Sequence, residues 1–418
     1  MITTLRLLRR RLSPEAQTTL ERNTRYLYLE IGFAAVLSGV VAFNAAFAVR
    51  LGASNEVIGL LSSAPALIAA LLSVPSARFI QGRRNRVPWL FNNLLALRVM
   101  YGLVALIPFI APDYVTASTW LVIWIILTSI PSIFFSNGFQ ALLAELIPEG
   151  RRARVFSRRY VILFAVMVAT TVLAGIWLDN VPFPINYQLL YLFGFLASLG
   201  SQHYLNRIEI PASHARQDAA QRSPAAPVRL RGPVGQMLLN LGVYYFALFL
   251  PLPLFTIYYI EILGASDGWL GVNAAAGSVG LMIGYTFWER LFRCRPYRWA
   301  LRRAPALTCL YPVLITVFPD LTLLLIFNLA LSSIHPGVEL ASLNSTLKLG
   351  TPENLTMVMS WYSMVINGGL FLGPLVGVWV AGQVGIVGAL VVAGVVRLLA
   401  GLLFALNAVA EPAASPLT

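Results

Sequence analysis

The sequence predicts an all-α membrane protein: twelve transmembrane helices arranged as two pseudo-symmetric six-helix bundles around a central cavity. Three observations predict it. The 418 residues are 58% hydrophobic and only 11% charged, whereas a soluble chain carries roughly 25% charged residues, and the mean hydropathy is +0.74. The apolar residues come in long continuous runs, as helices need, and not in the short alternating segments of a membrane barrel. The two halves of the chain also share a spaced motif. A soluble enzyme, a disordered chain and a secreted scaffold are thereby excluded. Cys294 and Cys309 supply neither a disulfide framework nor metal-ligand spacing, so no metal or other cofactor is expected.

A membrane-crossing helix needs about 20 apolar residues. Twelve stretches read as spans: 27–49, 56–77, 88–111, 118–147, 157–178, 187–206, 234–262, 269–291, 303–319, 321–347, 355–381 and 384–408. The first is too long, and too closely followed by others, to be a cleaved signal peptide. Residues 1–26 form a basic arm in which Ser13 caps, and Pro14 opens, a short helix suited to the membrane surface. Residues 27–206 make the first bundle and 233–410 the second. Residues 207–232, rich in Ala, Arg, Pro and Gln, read as a linker between them, and 411–418 as a tail.

The basic residues fix the orientation. Apart from Arg50, Arg98 and Arg397, all of them fall in the N-terminal arm, the even-to-odd connections (second–third through eighth–ninth) or, as Lys348, at the end of the tenth span. Positive charge gathers on the cytoplasmic side, so both termini are cytoplasmic and the chain is a multi-pass protein of the cell membrane. The net charge of +13 is therefore a topology signal facing anionic lipid, and no nucleic-acid partner is expected.

Leu51-Gly52-Ala53-Ser54 recurs as Leu263-Gly264-Ala265-Ser266, and the same offset pairs Gly59 with Gly271, Arg78 with Arg290 and Arg83 with Arg295. Six spans return the chain to the same side, so the repeat is parallel, and a solute pathway between the two bundles follows. Over nearly its whole length the chain resembles the major facilitator superfamily of secondary transporters. The resemblance rests on the Gly-Ala-Ser turn, the small-residue second helix and the basic loop after it. That loop in the family runs Gly-x-x-x-Asp-Arg-x-Gly-Arg-Arg; here Arg78 and Gly82-Arg83-Arg84 survive loosely, with Ala77 in place of the acid, while the second half keeps Glu289-Arg290. The resemblance implies a cytoplasmic latch of Arg78, Arg83, Glu289 and Arg290. Gly373-Pro374 with Gly368, Gly369 and Gly377 on the eleventh span reads as close packing and a bend.

Charges at mid-membrane are costly and mark function. His335 and Glu339 lie four residues apart on one face of the tenth span, with Pro336 between them to kink it. They are the candidates for proton coupling, together with Glu30 on the first span, which is placed to reach the cytoplasmic interface beside Arg25. Arg98 and Arg397 lie within the third and twelfth spans and read as structural anchors, each needing a carboxylate, carbonyls or water. The resemblance places the first, fourth, seventh and tenth helices around the cavity. Asn44, Ser136, Asn137, Gln140, Asn240, Tyr244, Tyr245, Tyr258 and, on the eleventh, Asn367 are the candidate lining.

With no Walker loop, nucleophile–base pair or metal cluster, neither direct ATP drive nor an enzyme is expected. The reading is a monomeric secondary transporter working by alternating access and coupled to protons. Its substrate is a small molecule or a lipid-like compound, with export of a hydrophobic or amphiphilic solute favoured. A lipid transporter of the same fold and a non-transporting scaffold or assembly factor are the alternatives. Cysteines introduced at Ser118 and Gln383 are predicted to react with an impermeant maleimide from outside intact cells, and one at Ser223 only after permeabilisation. Labelling at Ser223 in intact cells would overturn the orientation.

Overall fold

The computed structural model describes residues 14–81, 86–147, 149–209, 232–349 and 355–407. Among these residues every regular element is a helix. In chain order they are α1 (Pro14–Val41), α2 (Asn44–Arg50), α3 (Asn55–Gln81), α4 (Arg86–Leu103), α5 (Ile107–Ile110), α6 (Tyr114–Leu146), α7 (Glu149–Asn180) and α8 (Ile185–Leu205). Then follow α9 (Pro233–Phe249), α10 (Leu252–Ile257), α11 (Asp267–Leu291), α12 (Tyr297–Leu301), α13 (Ala304–Leu307) and α14 (Leu310–Val317). The last are α15 (Leu321–Ser332), α16 (His335–Leu349) and α17 (Leu355–Leu406). A π-helical turn, Tyr258–Ile262, extends α10. Large apolar side chains such as Phe109, Leu173 and Trp379 are mostly exposed, as a lipid-facing surface requires.

Among the described residues nine helical stretches are long and apolar enough to cross a membrane, where the sequence predicts twelve. Three local causes account for the difference. The expected sixth span is α8, whose Asn186, Gln188, Ser198, Ser201 and Gln202 are buried and lower its mean hydropathy. The expected ninth, 303–319, is broken into α13 and α14, with Pro305 and Pro312 in the way of a continuous ladder. The eleventh and twelfth run together as α17, interrupted where Gly385 takes φ 77°, a conformation only glycine adopts without strain.

Helix starts follow capping chemistry. The Asp113 carboxylate accepts from the Thr116 amide at 2.8 Å, Ser266 from Trp269, and Asp320 from Thr322 and Leu323, each satisfying amides that a first turn leaves open. The Thr116 bonds, its backbone N–H first, hold the Asp113 carboxyl below its usual pKa. Ser118, chosen above as a labelling site, is 1% exposed and donates to the Val115 carbonyl. The exposed Pro112 in the preceding turn replaces it in that experiment.

The chain packs as two compact units, one of Met1–Asn44 with Leu71–Gln221 and one of Ala45–Ala70 with Arg222–Thr418. Residues 45–70, assigned to the first bundle by sequence order, thus pack with the second half. Gly59 of α3 lies against Val378 of α17, and Arg50 donates to the Ala265 carbonyl at 2.9 Å and to Asp267 at 3.4 Å. In the first unit α1 packs on α7 and α8, where Gly39 meets Thr170 and Gly194 meets Val40. In the second, α9 lies along α17 on a stripe of Gly369, Gly373 and Gly377. A Cβ at Gly377 would stand 1.9 Å from the Leu250 carbonyl oxygen, whereas one at Gly368 would meet nothing within 4 Å. Gly377→Ala is therefore expected to destabilise the purified protein by about 1–3 kcal/mol, the usual cost of overpacking, and Gly368→Ala to leave its thermal midpoint within a degree. Equal midpoints for the two would refute the close approach.

Candidate functional site

In the first unit, four helices bring charge together inside the apolar bundle. Glu30 of α1 is 3% exposed. Its Oε2 accepts from Arg159 Nη1 of α7 at 2.8 Å, and its Oε1 from Ser201 Oγ of α8 at 3.1 Å. Ser201 in turn accepts from Arg98 Nη2 of α4 at 2.6 Å, and Gln202 Oε1 accepts from Arg98 Nη1 at 2.9 Å. Arg159 also donates to the Leu27 carbonyl and lies over the Phe139 ring. A cavity of about 340 Å³ opens beside this cluster, lined among others by Glu30, Arg98, Arg159, Ser136, Phe135 and Tyr160. Of its two guanidinium groups, Arg159 bonds the Glu30 carboxylate directly and Arg98 is connected to it through Ser201.

The local sequence explains the assembly. Ser198, Ser201 and Gln202 recur at the three- and four-residue spacing that places them on one face of α8, and all three are buried. Its position near the start of its span predicts that Glu30 reaches the interface with Arg25, and it does not: it is 3% exposed. It is buried on Arg159, the last residue of the basic run 151–159, while Arg158 beside it is exposed. Ser201 and Gln202, which hold Arg98, escaped the sequence reading, and so did Arg159, because α7 continues unbroken from the basic loop into the span. The signal was helical phase: one arginine of an adjacent pair must face inward.

In the second unit, α15 ends and α16 begins at His335 with Pro336 as its second residue, where a missing N–H costs nothing. The break leaves the Ser333 carbonyl open, and Trp288 Nε1 of α11 donates to it at 2.9 Å. Close approach is possible because Gly280 and Gly284 of α11 face Leu329 and Ser333, and Gly337 lies on the Trp288 ring. One turn into α16, Glu339 Oε2 accepts from Tyr285 Oη at 2.6 Å. His335 Nδ1 is buried with no hydrogen-bond partner. Tyr285 and Trp288, which share one face of α11, were not singled out by sequence.

Arg397 is 5% exposed and donates to three backbone carbonyls: Nε to Ala247 at 3.3 Å, Nη1 to Thr308 at 3.1 Å and Nη2 to Leu248 at 2.6 Å. Ala247 and Thr308 stand four residues before Pro251 and Pro312, so each carbonyl lacks its helical donor. The arginine bonds what the two prolines leave open.

The remaining candidates are more scattered. Asn44 accepts from Tyr191 Oη. Asn240 donates to the Asn407 carbonyl, Tyr258 to that of Ile315, and Asn367 to that of Ser363 on its own helix. Tyr244 and Tyr245 are buried with ring centroids 5.3 Å apart, the Tyr244 hydroxyl without a partner. Asn137, Gln140 and Arg78 have side chains outside the described residues, as does the whole of Arg83. Glu289 bonds Arg293 one turn on at 3.0 Å, both exposed, and among the described residues no ion pair joins it to Arg290. Among the described residues no group of three or more His, Cys, Asp or Glu side chains is placed to hold a metal ion.

No family model and no curated protein matches the sequence. Solved structures do. A bacterial homologue of the human lysosomal transporter Spinster, in its occupied inward-facing form, aligns with a TM-score of 0.67 at 14% identity, over 95% of this chain and 97% of that one. The nucleoside transporter NupG aligns with a TM-score of 0.68 at 9% identity, over 94% and 99%. A bacterial homologue of the iron transporter ferroportin gives 0.67 at 14%, over 93% and 100%. The chain has the major facilitator fold. These neighbours are all transporters and none is an enzyme, yet they carry unlike cargoes, so the fold leaves the substrate to the side chains.

Because lysine has a single compact ammonium, Arg397→Lys is expected to lose at least one of the three carbonyl bonds. The expected cost is about 1.5–3 kcal/mol per lost bond, read as a lower thermal midpoint in detergent. An unchanged midpoint would mean that the carbonyls find other donors.

Proposed function

We propose that the protein is a secondary active transporter of the major facilitator type, working by alternating access and driven by protons. What carries the reading is an alignment over more than nine-tenths of both chains with transporters of that fold, together with ionisable groups buried in both units. A proposed twelve crossings are supported by α8, by the α12–α14 segment and by α17 divided at Gly385, added to the other apolar helices.

Glu339 is the proposed proton site. Its partner is a neutral phenol, and no ion pair to it occurs among the described residues, whereas Glu30 is bonded to an arginine. Glu339 also stands just beyond a helix break, next to His335 on the same face. Breaks of this kind free backbone groups and let a segment move. A carboxyl that gains and loses a proton there would couple solute movement to the pH gradient, and one charge moved across the membrane is worth about 2.3 kcal/mol per 100 mV.

The test uses proteoliposomes and the compound that most stabilises the purified protein in a thermal-shift screen. Glu339→Gln is expected to abolish accumulation driven by a pH gradient while leaving solute exchange within about twofold of wild type. His335→Gln is expected to move the pH optimum. Full gradient-driven accumulation by Glu339→Gln would remove this residue from the mechanism.

A further inference from the structure

We propose that the cavity of the first unit binds an amphiphilic monoanion, one acid headgroup on a small apolar or aromatic body. This deepens the transport reading by naming a cargo class, and it rests on that reading only for the step of movement across the membrane.

The charge on the cavity wall is the first argument. Arg98 and Arg159 are both buried, and among the described residues the lining contains one acid, Glu30. Glu30 bonds Arg159 directly and reaches Arg98 only through Ser201. Arg98 itself is held by neutral oxygens, those of Ser201 and Gln202. One positive charge is thus left over in a membrane-embedded bundle, where an uncompensated ion is costly. A bound monoanion neutralises it; a dianion would overshoot.

Donor geometry is the second. A guanidinium has five N–H donors, and each arginine uses two in the bonds described. The remaining fork suits a carboxylate or a singly charged phosphodiester equally. The third argument is the rest of the wall: Phe135, Phe139, Phe156 and Tyr160 offer rings to an apolar body, and Ser132 and Ser136 add hydroxyls. A volume of about 340 Å³ sits at the small end of ligand pockets. The chemistry also fits outward transport. A weak acid enters a cell in its neutral form, ionises in the cytoplasm, and then needs a carrier that holds its anion to leave.

The experiment is calorimetric titration and thermal shift on the full chain in nonionic detergent, with 2-naphthoate and the phosphodiester methyl 2-naphthyl phosphate as the two singly charged acid headgroups. 2-Naphthol serves as the uncharged control and naphthalene-2,6-dicarboxylate as the dianion. At least one monoacid is expected to bind and to raise the midpoint, at least tenfold more tightly than either control; which one does so separates carboxylate from phosphate. Glu30→Gln adds one net positive charge to the wall and is expected to tighten the acid roughly tenfold and to admit the dicarboxylate. A merely structural cluster would gain neither. Arg98→Lys is expected to weaken the acid at least tenfold. Ala34→Phe, which fills the cavity without touching the charges, is expected to abolish binding and thus tests the site even where the arginine variant does not fold. Equal binding of 2-naphthol, no gain in Glu30→Gln, or wild-type affinity in Ala34→Phe would each overturn the site. Binding without transport in proteoliposomes would keep the site and overturn the transporter reading. Transport of another solute, with none of these acids bound, would do the reverse.

Discussion

A backbone carbonyl in the bilayer has no water to turn to, and leaving it without a donor costs several kcal/mol. Much of this architecture answers that constraint at prolines. Four times a side chain donates to the carbonyl four residues before a proline, the very group the proline cannot serve. Asn186 bonds Leu178 before Pro182, Arg397 bonds Ala247 and Thr308 before Pro251 and Pro312, and Tyr258 bonds Ile315 before Pro319. Broken helices are thereby tolerated, and the polar residues that looked out of place in apolar spans acquire a use. Arg397 is the clearest: a permanent cation whose partners are carbonyl dipoles at the ends of two broken helices.

The same accounting separates the two units chemically. In the second, the carboxyl of Glu339 meets a tyrosine, and Arg397 meets carbonyls. In the first, one carboxylate lies among two arginines, a serine and a glutamine, beside open volume. An acid bonded to a phenol next to a helix break is suited to a proton. An arginine-rich wall with aromatic faces is suited to an anion. The two halves that the repeat relates in sequence therefore carry different buried chemistry.

The repeated turn shows how. Gly52 and Gly264 both take positive φ, 81° and 63°, so the Leu-Gly-Ala-Ser motif folds the same way twice. The residue before the first copy, Arg50, donates to Ala265 within the second copy and to Asp267 just after it. Identical local chemistry yields the same turn, and one arginine outside the motif then links the two copies. Close packing is handled by glycine in parallel fashion: Gly369, Gly373 and Gly377 let α9 approach α17, and Gly280 with Gly284 do so for α15 and its break against α11.

The sequence by itself determined the helical membrane class, the duplicated turn and the break at Pro336, because apolar length, motif spacing and a missing N–H act locally. It also marked Glu30, Arg98, His335, Glu339 and Arg397 as groups needing partners, since burying an ion is costly whatever the fold. Which partner each one found was decided by the tertiary structure. Glu30 lies far in sequence from Arg159 and Ser201, Tyr285 from Glu339, and Arg397 from the carbonyls it bonds. Arg159 was hidden in a basic run that served equally well as a topology signal, and only the phase at which α7 packs against α1 turns it inward. A hydrogen bond reaches about 3 Å, so it is settled by the packing of helices remote in the chain, and the spacing of residues along one helix does not carry that information.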